Sequence, residues 1–383
     1  MTPTIDFPAL TAEIRRFIRQ ASASIPAAEA PRLEDRFTTL ALALFALQHE
    51  AVPALRRLNE ARGIDPSGIS RWRDLPALPA AAFKEWELTS LPPGERATVF
   101  HSSGTTGQTP SRHFHDALSL ALYEASVITW FGPHLFPERV AGGRMKMLAL
   151  TPPPSAAPHS SLVHMFDTVR RAFGAEGSEF VGHADQGQWF IDHERSQAAL
   201  DAAEACDRPT LLLGTAFSFV HLLDELAAVG RRARLPSGSR VMETGGYKGR
   251  SRQMARPELH ALITERLGVP PTHLLCEYGM SELGSQAYDG VVGRLSPVAA
   301  PSPTLTPRAF RFPPWARAMV ISPETGLEVA KGETGLLRVL DLANVRSIMA
   351  VQSEDLAIRR GDGFELLGRG PGAEPRGCSL MPS

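Results

Sequence analysis

Four short apolar runs constrain the fold more than any other feature of the chain. They are KMLALTP (146–152), PTLLLGT (209–215), SRVMETGG (239–246) and THLLCEYG (272–279). Each has the length of a buried strand rather than of a helix. Between them lie pieces with helical spacing: WFIDHERSQAALDAAEAC (189–206), AFSFVHLLDELAAVG (216–230) and RPELHALITERLG (256–268). The last two close on Gly230 and Gly268, where a helix can stop. Strands alternating with helices predict an α/β core with a largely parallel sheet. Ligands in such sheets bind at the carboxyl ends of the strands. Here those ends read GT, TGG and EYG, the glycines and polar groups that a crevice needs.

The flanks read differently. TAEIRRFIRQA (11–21) and PRLEDRFTTLALALFALQHE (31–50) place apolar residues three and four apart, so the N-terminal region is expected to be helical. The apolar stripe from Leu40 to Leu47 has no basic face beside it and reads as core, not as a membrane surface. RWRDLPALPAAAFKEWELTSLPPGE (71–95) has prolines and no period, and reads as an extended connector. Beyond a proline-rich stretch at 296–315, ARAMVIS, GLLRVLDL and FELLGR are expected strands of a β-rich tail. The expected division is therefore 1–95 helical region and connector, 96–295 α/β core and 296–383 β-rich tail.

With 43% hydrophobic and 21% charged residues the composition is globular, and a net charge of −1 provides no field for nucleic acid or an anionic membrane. No run of about 18 apolar residues predicts a membrane span, and the N-terminus lacks the features of a signal peptide. Three scattered cysteines, Cys206, Cys276 and Cys378, predict no disulfide framework and point to the reducing cytoplasm. No pair of them has zinc-ligand spacing, and the histidines do not cluster around them in sequence. Cys276, on an apolar run, reads as core.

The segment FHSSGTTGQTPSRHFHD (100–116) carries the chemistry. Glycines let backbone approach a ligand closely, and successive N–H groups with Ser and Thr hydroxyls can surround a phosphate chain. The pattern GxxxxGK[ST] is absent. A solvated Ser/Gly/Thr turn is the plain alternative. His113 and His115 alternate beside the loop and read as core or solvated residues rather than catalysts. His159 and His164 follow in the next segment, with His164 the better site candidate.

SSGTTG (102–107), EYGMSE (277–282), SEDL (353–356) and GRGPGAEPRG (368–377) together resemble, in order and spacing, the signature segments of the acyl-adenylate-forming superfamily. The connector, METGGYKGRSR and the length look most like the LuxE/PaaK branch, which holds LuxE-type acyl-protein synthetases and phenylacetate-CoA ligases. The resemblance runs from about Arg71 to the C-terminus and implies an adenylate-forming core with distorted sheets. It implies ATP and Mg²⁺ as cofactors, with Ser102, Ser103, Gly104, Thr105, Thr106 and Gly107 as the phosphate loop and Thr105 catalytic within it. Gly245, Tyr278 and Gly279 fall on the nucleotide site, with Tyr278 beside the adenine. Ser281 falls near the α-phosphate, Glu282 on the magnesium ligand, Asp355 on the ribose hydroxyls and Arg369 just after them. His164 and Gly246 fall on the acyl pocket.

Two departures accompany the resemblance. A basic residue usually follows the loop, and either Arg112 or Lys248 is the candidate to supply that charge. The sequence stops six residues after Gly377, where family members continue into a cap domain bearing a lysine, so a core without the full cap is expected. Cys378 matches the position of the acyl-accepting cysteine in acyl-protein synthetases; an incidental terminal cysteine is the alternative. The implied activity is ATP-dependent activation of a carboxylic, fatty or aryl, acid with transfer to a thiol: Cys378 and then a partner protein such as a reductase or carrier. A phenylacetate-type CoA ligase and a non-catalytic nucleotide- or acyl-binding homologue are the other readings.

Overall fold

A computed structural model describes residues 6–21, 29–102, 109–138, 143–185, 188–245, 254–293 and 308–370. Three helices open the chain: α1 (Phe7–Gln20), α2 (Ala30–Ala51) and α3 (Pro53–Ala61). The connector then forms β1 (Leu78–Pro79) and the one-turn α4 (Ala82–Glu85), and a hairpin follows, β2 (Thr98–His101) with β3 (Arg112–His115). The central region runs α5 (Ala117–Leu135), β4 (Lys146–Ala149), α6 (Ser161–Phe173), β5 (Glu179–Phe180), β6 (Gly182–Asp185), β7 (Gln188–Ile191), α7 (His193–Ala205), β8 (Thr210–Thr215), α8 (Ala216–Ala228), β9 (Arg240–Thr244), α9 (Arg256–Leu267), β10 (Leu274–Tyr278) and β11 (Ala287–Tyr288). The last part is β12 (Ala316–Ile321), β13 (Thr334–Asp341), β14 (Ala350–Arg360) and β15 (Gly363–Arg369).

All four apolar runs are strands of one sheet, ordered β11-β10-β9-β8-β4-β5 and parallel except at β11. They are continuous apolar runs because both faces are covered. Leu211, Leu213 and Met242 face a core shared with α1, α2, α5 and α6, while Leu212 and Val241 face a second core under α7, α8 and α9. Burying each such side chain is worth about 1.5–3 kcal/mol. Thr215 caps α8 through a reciprocal hydrogen-bond pair with Ser218, and Gly268 ends α9 at φ 72°.

One expectation needs correction. Residues 189–191 form the strand β7 rather than the start of a helix, because Trp189 and Ile191 turn inward from a hairpin while Phe190 faces out. Within the connector, β1 pairs in parallel with β14 at Val351 and Gln352. SEDL is part of β14, the longest strand among those described, which holds together β13, β15 and β1. Among the described residues no single helix is long and apolar enough to cross a membrane.

Candidate active site

The carboxyl ends of β9 and β10 open onto a cavity of about 210 Å³. Four separated stretches supply its walls: Ser102 after β2, Gly245 after β9, residues 278–282 after β10, and Asp355 with Arg369 from β14 and β15. A second cavity, about 50 Å³, shares Glu277, Gly279, Met280 and Ser281 with the first and is closed by Tyr123, Met165 and Gln286.

Asp355 is held from two sides. The Tyr278 hydroxyl donates to its Oδ2 at 2.7 Å, and Arg369 Nη1 donates to its Oδ1 at 3.1 Å. Asp355 and Arg369 are cross-strand partners, so the β14–β15 register sets that pairing. The Tyr278 ring meets Phe364, Phe310 and Phe312 edge-on at 5.4, 6.1 and 6.2 Å. A carboxylate has about four acceptor sites, so two stay available to ligand hydroxyls.

The turn after β10 is tied to the β2–β3 hairpin. Ser281 Oγ donates to the His101 carbonyl at 3.0 Å, and His113 Nδ1–H donates to the Ser281 carbonyl at 2.8 Å. Burial pushes the His113 pKa down, so its ring is a neutral support, as the core reading of His113 expects. His115 is buried as well, and burial holds its pKa well below the usual value. His159 donates to the Val99 carbonyl at 3.1 Å and stacks on His101. Ser111 N–H donates to Ser102 Oγ at 2.9 Å and Ser102 N–H to the Ser111 carbonyl at 3.2 Å. The two ends of the Ser/Gly/Thr segment are thereby pinned at the cavity.

Glu282 is completely buried, and Asn344 Nδ2 donates to its carbonyl oxygen at 2.8 Å. Beside it Glu277 is also buried, and burial lifts its pKa to about 7, opposed by a hydrogen bond from Thr244, its cross-strand partner. A Cβ on Gly279 would stand 2.4 Å from Glu277 Oε1, so a side chain there would have to displace the Glu277 carboxyl group.

Of the residues singled out from sequence, Ser102, Gly245, Tyr278, Gly279, Ser281, Glu282, Asp355 and Arg369 line the larger cavity. Ser103, Gly104, Thr105, Thr106, Gly107, Gly246, Lys248 and Cys378 lie outside the described residues. His164 Nε2 pairs with Glu124 at 3.1 Å, its ring lies 5.9 Å from that of Tyr123, and Ser161, Leu162 and Met165 of the same helix line the small cavity. Arg112 lies 3.5 Å from Glu87; among the described residues the cations in the cavity wall are Arg256 and Arg369. Sequence reading missed Arg256, Tyr123, Gln286, Thr244 and Glu277. The last two sit inside quoted motifs, in METGG and EYGMSE, on strands buried along both faces, so no alternation in the sequence singles them out.

No family model matches the sequence, and no curated protein matches it. Solved structures do match in fold. A 2-hydroxyisobutyryl-CoA ligase in complex with 2-HIB-AMP and CoA, in the thioesterification state, superposes with TM-score 0.64 at 15% identity, covering 90% of this chain and 68% of that one. The same ligase in the postadenylation state with 2-HIB-AMP gives TM-score 0.63 at 14% identity, covering 90% and 72%. Its open conformation gives 0.62 at 13%, covering 90% and 76%. This chain has the core fold of the adenylate-forming enzymes.

Proposed function

We propose that this chain is an ATP-dependent ligase that activates a carboxylic acid as acyl-AMP and passes the acyl group to a thiol. The observation that carries the reading is the meeting of Ser102, Tyr278, Glu282, Asp355 and Arg369 around one cavity, although the first and last are 267 positions apart in sequence. In this reading Asp355 accepts the ribose hydroxyls and Tyr278 flanks the base. Ser102 and the segment after it, with Thr105, receive the phosphates. The buried Glu282 carboxylate is a hard oxygen donor at the cavity wall, which fits Mg²⁺. Held by Glu282, such an ion would supply charge screening between two anions. Adenylation needs positioning and electrostatics rather than a side-chain nucleophile: a carboxylate oxygen bonds to the α-phosphorus, and pyrophosphate leaves with the electrons of the broken bond. Arg369, Arg256 and Lys248 are the candidate positive charges.

The small cavity beside Glu277, Gly279 and Met280 is the candidate acyl site, and the resemblance implies a fatty or aryl acid there. The neighbouring ligase, with its acyl-AMP and CoA, supports a thiol as acceptor. Cys378 is the acceptor if the chain follows the LuxE-type proteins, and CoA if it follows the phenylacetate ligases.

Carboxylate-dependent ATP–pyrophosphate exchange over acids of two to sixteen carbons (on the order of a full fatty series) tests the proposal. Exchange should appear with at least one acid of the series. ATP binding without exchange for any acid would leave only a nucleotide-binding protein. Hydroxylamine-labile acylation of the wild type but not of Cys378→Ala separates the protein acceptor from CoA.

A further inference from the structure

Three different ligand types meet on the α9 face of the sheet. Glu243 and Cys276 are cross-strand partners on β9 and β10, and His260 reaches them from α9, one turn after Arg256. Cys276 Sγ lies 2.7 Å from Glu243 Oε2, His260 Nε2 lies 3.1 Å from the same oxygen, and Sγ and Nε2 are 3.7 Å apart. Glu243 is 5% exposed and Cys276 2%. The absence of zinc-ligand spacing in the sequence does not carry over to space, because the donors come from three elements.

We propose that Glu243, His260 and Cys276 bind one divalent transition-metal ion of the zinc class. Thiolate, imidazole and carboxylate together are the donor set for zinc, cobalt or nickel, not for magnesium or calcium. Tetrahedral bonds of about 2.0–2.3 Å separate such donors by about 3.3–3.6 Å. The sulfur–nitrogen and nitrogen–oxygen separations are close to that. The sulfur–oxygen separation of 2.7 Å is shorter than tetrahedral donors require and lengthens when the metal replaces the thiol proton. The step balances: the thiol releases its proton to solvent, sulfur forms the metal bond, and thiolate plus carboxylate neutralise the ion.

The surroundings accommodate it. Asp289 accepts the Cys276 N–H at 2.6 Å, orienting the sulfur-bearing residue from behind, and Arg308 stands 3.6 Å from that carboxylate. The Arg256 guanidinium packs over the Phe310 ring, its centre 5.1 Å from the centroid. Glu243 and Cys276 both line the 210 Å³ cavity, so a fourth coordination position faces it. Three protein donors with one open position is the pattern of a site that takes water or a ligand atom. This inference is independent of the acyl-transfer reading: the site could be loaded in a protein that adenylates nothing.

Cobalt(II) titration of the metal-free full-length chain, in a Cys206→Ser/Cys378→Ser background, tests it. One equivalent should produce a near-ultraviolet thiolate-to-cobalt charge-transfer band and intense tetrahedral d–d bands, and one equivalent of zinc should displace them. Cys276→Ser should remove the charge-transfer band and weaken zinc binding by at least about 100-fold. If that variant does not fold, as judged by circular dichroism, His260→Gln serves: the charge-transfer band stays while the d–d bands shift. A cobalt spectrum without thiolate character, or zinc retained below about one tenth of an equivalent after desalting, overturns the proposal.

Discussion

Asp355 shows how much one carboxylate can organise. It lies 77 residues from Tyr278 and 14 from Arg369 in sequence, yet it accepts a hydrogen bond from each. Hydrogen bonds to a charged group are worth about 1.5–3 kcal/mol, so Asp355→Ala is expected to lower kcat/KM for ATP by about 10- to 150-fold. Tyr278→Phe removes one hydrogen bond to the same carboxylate and should cost the lower end of that range, about 10-fold. Exchange rates against ATP concentration measure both. Glu277 provides a test by pH. Its folded pKa of about 7 exceeds the ordinary 4.5, so the folded protein keeps a proton that the unfolded chain loses. The stability it contributes is complete below pH 4.5 and is lost as pH rises toward 7. Urea unfolding should show wild type losing a few kcal/mol across that window relative to Glu277→Gln, at about 1.4 kcal/mol per pH unit. Equal pH slopes in the two proteins would rule out the buried proton.

The β14–β15 pair is the element on which the larger cavity depends most. Its register shifts between Leu356 and Ala357, and opposite that irregularity Gly368 adopts φ +123°. A bulge of this kind re-aims the side chains that follow it. Here it sets Arg369 against Asp355. Gly368→Ala forces a side chain into backbone space that only glycine occupies readily, and should destabilise the protein by about 1–3 kcal/mol. It should also raise KM for ATP by displacing Arg369. A variant with unchanged unfolding midpoint and unchanged KM would show that the bulge does not position the site. The sequence displayed FELLGR as a strand but gave no sign of the bulge. A register shift is a property of two strands, and periodicity is read along one.

At the scale of the molecule, the N-terminal helices are bound to the rest. Gln48 of α2 is fully buried; its Nε2 donates to the Asn344 carbonyl at 2.6 Å, and its Oε1 accepts from Met349 N–H at 3.0 Å. Asn344 in turn supports Glu282. Ile14, Phe17 and Leu44 share one core with Val345 and Ile348. Removal of residues 1–51 is therefore expected to yield an insoluble or molten chain, and Gln48→Ala to cost about 1–3 kcal/mol by leaving buried partners unsatisfied. A truncated chain with cooperative unfolding would show that these helices are dispensable.

By itself the sequence located β4, β8, β9 and β10 of the central sheet, the helices between them and the strand ends that carry the ligand-facing residues; the family resemblance, not the apolar pattern, singled out Tyr278, Glu282, Asp355 and Arg369. Apolar period and chain-breaking residues act locally, so they can be read in order along the chain. Only the tertiary structure decided that His164 turns to Glu124, that Gln48 reaches the segment beside Glu282, that the second cavity is small, and that His260 lies against Cys276 and Glu243. Each of these depends on which faces of separate elements meet. That choice is made by the packing of the whole core, and no short stretch of residues contains it.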